Sequence, residues 1–281
     1  MSSTYRVLDV LELLARSIRP LPTMVIAREC AIPKGSAHTL LNAMRDRGFV
    51  THYGSERTWG LGVAALEIGS SYLRSEPLQR LGHGTLVDLA DRSGATSHLA
   101  TLHGTEVLYI DKQQPVGPTP KLVTEIGVRL PAHLTAVGRA ILAWLSEVQV
   151  RALYPDQPLV RRTNQGPISV ERLLNELASV RESGYAFDDG MVSPGISCLA
   201  CPVFSHDGIP VAALGVTFVA AQRSRADVAA TVVLVRELSA RLSAALGYGR
   251  RSEFQDRSAG RPRMRATDQP AREEYVRAVH P

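Results

Sequence analysis

Val7, Val10, Leu11 and Leu14 recur at helical spacing and predict an amphipathic helix over residues 4–17. Arg19-Pro20-Leu21-Pro22 breaks it, and a short second helix is predicted over 23–29 with Val25, Ile26 and Ala27 inward. Cys30-Ala31-Ile32-Pro33 is a tight connection, because Pro33 disfavours helical geometry at Ile32 yet suits the start of a new helix. That third helix, over 34–47, buries Ala37, Leu40, Leu41 and Met44 and turns Lys34, Ser36, His38, Thr39 and Arg45 outward. Two short strands around Gly54-Ser55-Glu56 follow as a hairpin, and Leu61, Ala64, Ala65, Ile68 and Leu73 mark a further helix that ends at Ser75-Glu76-Pro77.

Beyond residue 77 helices alternate with strands. Helices are predicted over 78–92, 134–146, 168–183 and 225–247, and strands over 96–102, 106–111, 121–125, 196–204 and 210–219. The turns Leu102-His103-Gly104-Thr105 and Ser205-His206-Asp207-Gly208 pair two sets of strands as hairpins, so the sheet is expected to be antiparallel with helices packed on it. The pattern divides the chain into 1–60, a linker helix over 61–76, a larger α+β unit over 77–248 and a tail over 249–281. The tail carries 13 charged residues out of 33 without apolar periodicity, and disorder is expected there.

Composition changes this picture only where it is divided along the chain. A length of 281 residues, 44% hydrophobic and 21% charged, is ordinary globular material for about two domains. The net charge of +5 is split. Residues 1–66 hold eight basic against five acidic side chains, 67–248 hold 16 against 17, and 249–281 again hold eight against five. The apolar run from Pro210 to Ala221 is about half of what a bilayer span requires, and the first residues lack the pattern of a secretory leader, so a cytoplasmic protein is the expectation. Cys30, Cys198 and Cys201 form no disulfide framework and fit a reducing compartment.

A short helix, a tight turn and a helix with Lys34, Ser36, His38 and Thr39 on its exposed N-terminal half meet the needs of a helix-turn-helix. Its N-terminus faces phosphates with free N–H groups, while short polar side chains reach base edges in the major groove. Arg45, Arg57 and Arg19 flank it as candidate phosphate contacts, with the hairpin as a wing.

The residues that carry this reading also carry a resemblance. Arg6-Val7-Leu8-Asp9-Val10-Leu11-Glu12-Leu13-Leu14, Ile32-Pro33-Lys34-Gly35-Ser36-Ala37-His38-Thr39-Leu40-Leu41, Arg47-Gly48-Phe49-Val50 and Trp59-Gly60-Leu61-Gly62 are followed in order by Tyr109-Ile110-Asp111-Lys112, Leu130-Pro131-Ala132-His133, Ala136-Val137-Gly138-Arg139-Ala140, Gly184-Tyr185-Ala186-Phe187-Asp188-Asp189 and Gly195-Ile196-Ser197-Cys198-Leu199-Ala200. Over residues 5–248 this ordered set resembles the IclR family of bacterial transcription regulators. The resemblance implies a winged helix-turn-helix, a linker helix and a C-terminal effector-binding domain of GAF-like architecture, assembled as a dimer or a dimer of dimers on a double-stranded DNA operator. Two departures lie on the DNA-reading helix: Gly35 stands where the family commonly has Ser or Thr, and Thr39 where Arg is frequent.

The same resemblance implies a pocket for a small organic acid effector at Ala136, Val137, Asp188, Cys198, Gly215 and Thr217. The helix start after Thr135 would offer N–H donors to a carboxylate, and Leu130, Leu199, Leu214 and Val216 are candidate walls. Gly215, where some relatives have a hydroxyl, is expected to add volume and admit an effector larger and less polar than a two- or three-carbon oxoacid. Gly190-Met191 replaces an acidic pair often seen in the family, so the loop beside the pocket is expected to differ.

Other chemistries are weaker on the residues. Cys198 and Cys201 are three apart, so on a strand they point to opposite faces, and no second Cys pair completes a metal set. No H-x-x-x-H or H-E-x-x-H pattern occurs, and His98 and His133 read as structural. Ser36, His38 and Asp46 are hydrolase residue types without a G-x-S-x-G elbow. The expected function is therefore an effector-responsive repressor without cofactor, metal or catalytic residues. The alternatives are an activator of the same family and, more remotely, an enzyme using Cys198 or Asp188.

Overall fold

The apolar positions that set the helical periodicity form three buried clusters, which organise the architecture. The computed structural model describes residues 3–117, 122–155 and 158–249. The tail expected to be disordered lies, from residue 250 onward, outside them.

The first cluster gathers α1 (Ser3–Arg16), α2 (Thr23–Glu29) and α3 (Lys34–Asp46) around Val10, Ile26, Ala37, Leu41 and Met44. β1 (Leu21–Pro22), β2 (Val50–Tyr53) and β3 (Thr58–Leu61) form a small sheet in the order β1-β3-β2. The Arg19–Pro22 segment was expected only to break a helix. It also pairs, with Leu21 opposite Trp59, because Leu21 packs on the same core. Trp59 is buried and its Nε1–H donates to Thr23 Oγ1 at 2.9 Å, which pins the wing to α2. α4 (Val63–Ser75) follows at the position of the expected linker helix.

α5 (Pro77–Ser93) opens on Glu76, whose side chain caps the Leu78 N–H, and stops at Gly94 in the left-handed region. Six strands then form one antiparallel sheet in the order β6-β5-β4-β9-β8-β7: β4 (Thr96–His103), β5 (Glu106–Gln113), β6 (Arg129–Pro131), β7 (Ala186–Asp189), β8 (Ile196–Phe204) and β9 (Pro210–Val219). Strand alternation sends Leu99, Leu199, Leu214 and Val216 to the face covered by α5 and α9 (Arg225–Ala245), and Ala100, Val107, Ala200 and Ala213 to the face covered by α6 (Ala136–Leu142) and α8 (Val170–Ser183).

Three expectations need correction. The strand expected over 121–125 is absent from 122–125, the part that is described: Thr124 turns inward to His98, and Gly127 at φ +86° bends the chain, so the partner of β5 is β6 instead. The single helix expected over 134–146 is a 3₁₀ turn (Ala132–Leu134) followed by α6, because Thr135 is an N-cap whose hydroxyl accepts from the Gly138 N–H. Ser146 then starts a separate helix, α7 (Glu147–Leu153), through a capping box with Gln149. β6 and β7 were missed at three and four residues, too short to show alternation. Among the described residues no helix is long and apolar enough to cross a membrane.

Candidate functional site

The first candidate surface is the exposed side of α3. Ile32 N–H reaches back to the Ala27 carbonyl, and Ala31 adopts φ +50°, so four residues suffice to turn from α2 into α3. With Ala37, Leu41 and Met44 buried, Lys34, Ser36, His38 and Thr39 stand in solvent, as does Arg45. Arg45 is engaged by Asp46 at 3.0 Å, an exposed pair worth little against a phosphate. Arg57 lies in the β2–β3 turn at φ +52°, on the wing and separate from α3 in the chain. A further polar residue, not apparent from charge or composition, belongs to this surface. Asn42 lies one turn beyond both His38 and Thr39, and its Nδ2 is 2.9 Å from His38 Nδ1. Helix-face arithmetic finds it, since Asn42 follows Gly35 by seven residues and Thr39 by three and so shares their side of the helix.

The second is a cavity of about 50 Å³ on the α6 face of the large sheet. Register builds its floor. Thr96 is opposite Thr217, Thr217 opposite Cys198, and Cys198 opposite Asp188, so four strands set four polar side chains in one row. Tyr109, Leu130, Thr135 and the 122–124 and 192–193 segments complete the wall, with Thr217, Cys198 and Asp188 exposed to the space. Cys198 Sγ lies 3.1 Å from Thr217 Oγ1. Burial, then the neighbouring Asp188, push the Cys198 thiol up to about 12, so it is a neutral hydrogen-bonding group. Cys201 packs in the cluster on the opposite face, as the three-residue spacing predicts.

Asp188 is the acid of this cavity. It is 1% exposed and its Oδ1 accepts from the Met191 N–H at 2.7 Å. Burial raises its carboxyl to about 6, against the lowering effects of the Met191 N–H and of Arg139, while Asp189 adds a smaller push upward. Arg139, on α6, is buried and committed elsewhere: it donates to Glu176 Oε2 at 3.1 Å and to the Phe187 carbonyl. No Lys, Arg or His lies on the wall among the described residues.

Several expected pocket groups sit elsewhere. Ala136 and Val137 are buried in the core cluster and do not line the space. Leu199, Leu214 and Val216 belong to the opposite face of the sheet. Gly215 adds no room: a Cβ there would lie 2.8 Å from the Leu199 carbonyl oxygen and 2.9 Å from Ala200 Cβ, so the glycine serves close packing, not ligand volume. The argument for a large effector loses its basis with it, and the void holds only a few water volumes.

The model of the IclR helix-turn-helix domain matches residues 3–53, and that of the bacterial transcriptional regulator IclR C-terminal matches 70–244. The chain belongs to the IclR family of bacterial transcriptional regulators. Among IclR relatives it is 30% identical to the HTH-type transcriptional regulator XynR of Escherichia coli over 249 residues, covering 88% of this chain and 98% of that one. It is 33% identical to the transcriptional repressor IclR of Escherichia coli over 219 residues, 77% and 80% of the two chains. The crystal structure of an IclR transcriptional regulator from Alicyclobacillus acidocaldarius superposes with a TM-score of 0.78 at 26% identity, covering 87% of this chain and 98% of the other. This IclR-family chain is thus a DNA-binding transcriptional regulator with an N-terminal helix-turn-helix and a C-terminal antiparallel sheet covered by helices.

Proposed function

We propose that this regulator is a repressor that reads an operator through α3 and the wing, and that a small organic acid in the Asp188 cavity alters its hold on DNA. The observation that carries the DNA reading is the exposed polar stripe of α3, placed one tight turn after α2 and backed by the β2–β3 wing. Lys34 and Arg57 act as phosphate contacts, which fix register and supply affinity. Ser36, His38 and Thr39 face base edges, and Arg45 is freed for the backbone when DNA competes with Asp46. Repression is the mode supported by the name of the 33% identical relative.

Footprinting the purified chain on the DNA upstream of its own gene, with and without lactate, succinate and benzoate, tests the reading as a whole. Protection of a two-part site that one of the acids weakens is expected; absence of protection sinks it. Lys34→Ala and Arg57→Ala should each remove about one unit from the slope of log affinity against log salt. Slopes identical to wild type would place both residues off the DNA.

Self-association is proposed through the linker helix. No described residue of α4 is buried, and Val63, Leu66 and Ile68 are 60–68% exposed around it. A 13-residue helix is marginal in water without packing, so a second copy is the covering that the helix requires. Leu66→Glu combined with Ile68→Glu is expected to shift the sedimenting species to a smaller one at micromolar protein while leaving the helical content of the rest intact. An unchanged mass would reject α4 as the contact.

A further inference from the structure

At 100° per residue, the buried positions Ala37, Leu41 and Met44 fix which side of α3 is outermost. Gly35, Thr39 and Asn42 lie on that side, and Lys34, His38 and Arg45 run along one flank of it. The two central side chains are not free rotors. Thr39 Oγ1 donates to the Gly35 carbonyl at 3.2 Å, which commits its hydroxyl proton to the backbone. Asn42 Nδ2 faces His38 Nδ1 at 2.9 Å. In that arrangement one amide N–H is spent on the imidazole, which accepts at Nδ1 and so carries its own proton on Nε2. What remains on Asn42 is one N–H and the carbonyl oxygen, side by side. That pair complements adenine, which offers an N7 acceptor and an N6–H donor in the major groove. No carbon atom intervenes at Gly35, where a Cβ would meet nothing within 4 Å, so the helix can approach the groove floor closely at this end.

We infer that Asn42 reads an adenine edge in each half-site and that His38 is the positioning residue that aims its amide. The inference rests on the proposal that α3 is the DNA-reading helix. Lys34 and Arg57 supply sequence-independent hold, whereas Asn42 supplies discrimination at one base pair. Thr39 beside it carries a methyl, the group that packs on a thymine methyl.

The test is selection from a randomised duplex library by the full-length chain, followed by affinity measurement on the selected site and on single-base variants of it. Wild type is expected to select an adenine at one position per half-site. Asn42→Ala should lower the preference at that position by about 10- to 100-fold, with preferences at the other positions retained. His38→Leu should reduce the same preference, and His38→Gln, whose carbonyl can accept the amide N–H, should restore it in part. A general packing defect would not produce that pattern. Lys34→Ala serves as the contrast, weakening all sequences alike. If Asn42→Ala keeps every preference, or loses them all uniformly, the assignment of Asn42 is overturned while DNA reading by α3 stands. If wild type selects no sequence at all, the DNA-reading proposal falls and this one falls with it. If His38→Gln is as damaged as His38→Leu, the positioning role is rejected.

Discussion

Gly138→Ala is expected to destabilise the chain by about 3 kcal/mol or more, against a helix-propensity change that favours alanine by about 1 kcal/mol. The opposition makes the sign informative. An added Cβ would lie 2.2 Å from the Ala132 carbonyl oxygen and 2.5 Å from Ala132 Cα, and both are backbone atoms that no rotamer change can move away. Gly138 donates its N–H to Thr135 Oγ1, the cap that starts α6 one residue before Ala136. Relief of the clash must separate the 3₁₀ turn from α6 and disturb Thr135, which stands on the cavity wall. For a unit of this size each kcal/mol shifts the melting temperature by roughly 2–4 °C, so calorimetry should show a fall of roughly 6–12 °C. Binding of an organic acid should weaken as well. A melting temperature equal to or above wild type would show that the backbone relaxes freely here.

Asp188→Asn is expected to change how stability and ligand binding respond to pH. The carboxyl is raised from 3.8 to about 6 in the folded chain, mainly by burial. Native protein therefore binds more protons than unfolded protein between those two values, and stability falls as pH rises through that window. Above pH 6 the full penalty applies, on the order of 3 kcal/mol. Asparagine keeps the shape without the charge. In denaturant unfolding the variant should gain on wild type at pH 8 and lose that advantage near pH 4. The charged groups that face Asp188 shape the window: Arg139 from α6, itself held by Glu176 of α8, lowers the carboxyl, and Asp189 of the same strand raises it. Cys198 from β8 and Tyr109 from β5 stay neutral, since burial raises both. A ligand carboxylate entering a wall without a cation raises Asp188 further, so binding takes up a proton. Affinity for an acid such as lactate should then drop up to tenfold per pH unit above 6 in wild type and become flat in the variant. Parallel pH profiles for the two proteins would remove Asp188 from the site.

How far the sequence could be read depended on the length of each element. α1, α3, α8 and α9 each repeat their apolar spacing over three turns or more, and their positions followed from periodicity. β6 has three residues and β7 four, and their assignment needs the neighbours that pair with them. Thr124 illustrates the opposite error: the stretch 121–125 reads as a strand, yet its inward threonine is held by a buried histidine on β4. At the candidate site Asp188, Cys198 and Thr217 of the polar row were legible from the family resemblance, whereas Thr96 joins them only through the pairing of β4 with β9. Gly215 shares a strand with Thr217 and the same side of the sheet, and only the proximity of Ala200 and Val137 shows that it is packed shut. Asn42 was missed for a different reason. Composition and charge draw the eye to Lys34 and Arg45, whereas the amide is neutral and gains meaning only from the imidazole one turn before it.

The row of Thr96, Thr217, Cys198 and Asp188 depends on strand register, and register is set partly at a distant surface turn. β8 and β9 are joined through residues 205–209, six or more positions along β8 from Cys198. An inserted residue that neither the turn nor the irregularity at Val203–Phe204 absorbs would slide β9 by one and bring Val216 or Phe218 opposite Cys198. Chain length at a turn far from the cavity therefore bears on which side chains line it. Lineages of this fold should tolerate exchanges within the row more readily than insertions or deletions in that loop.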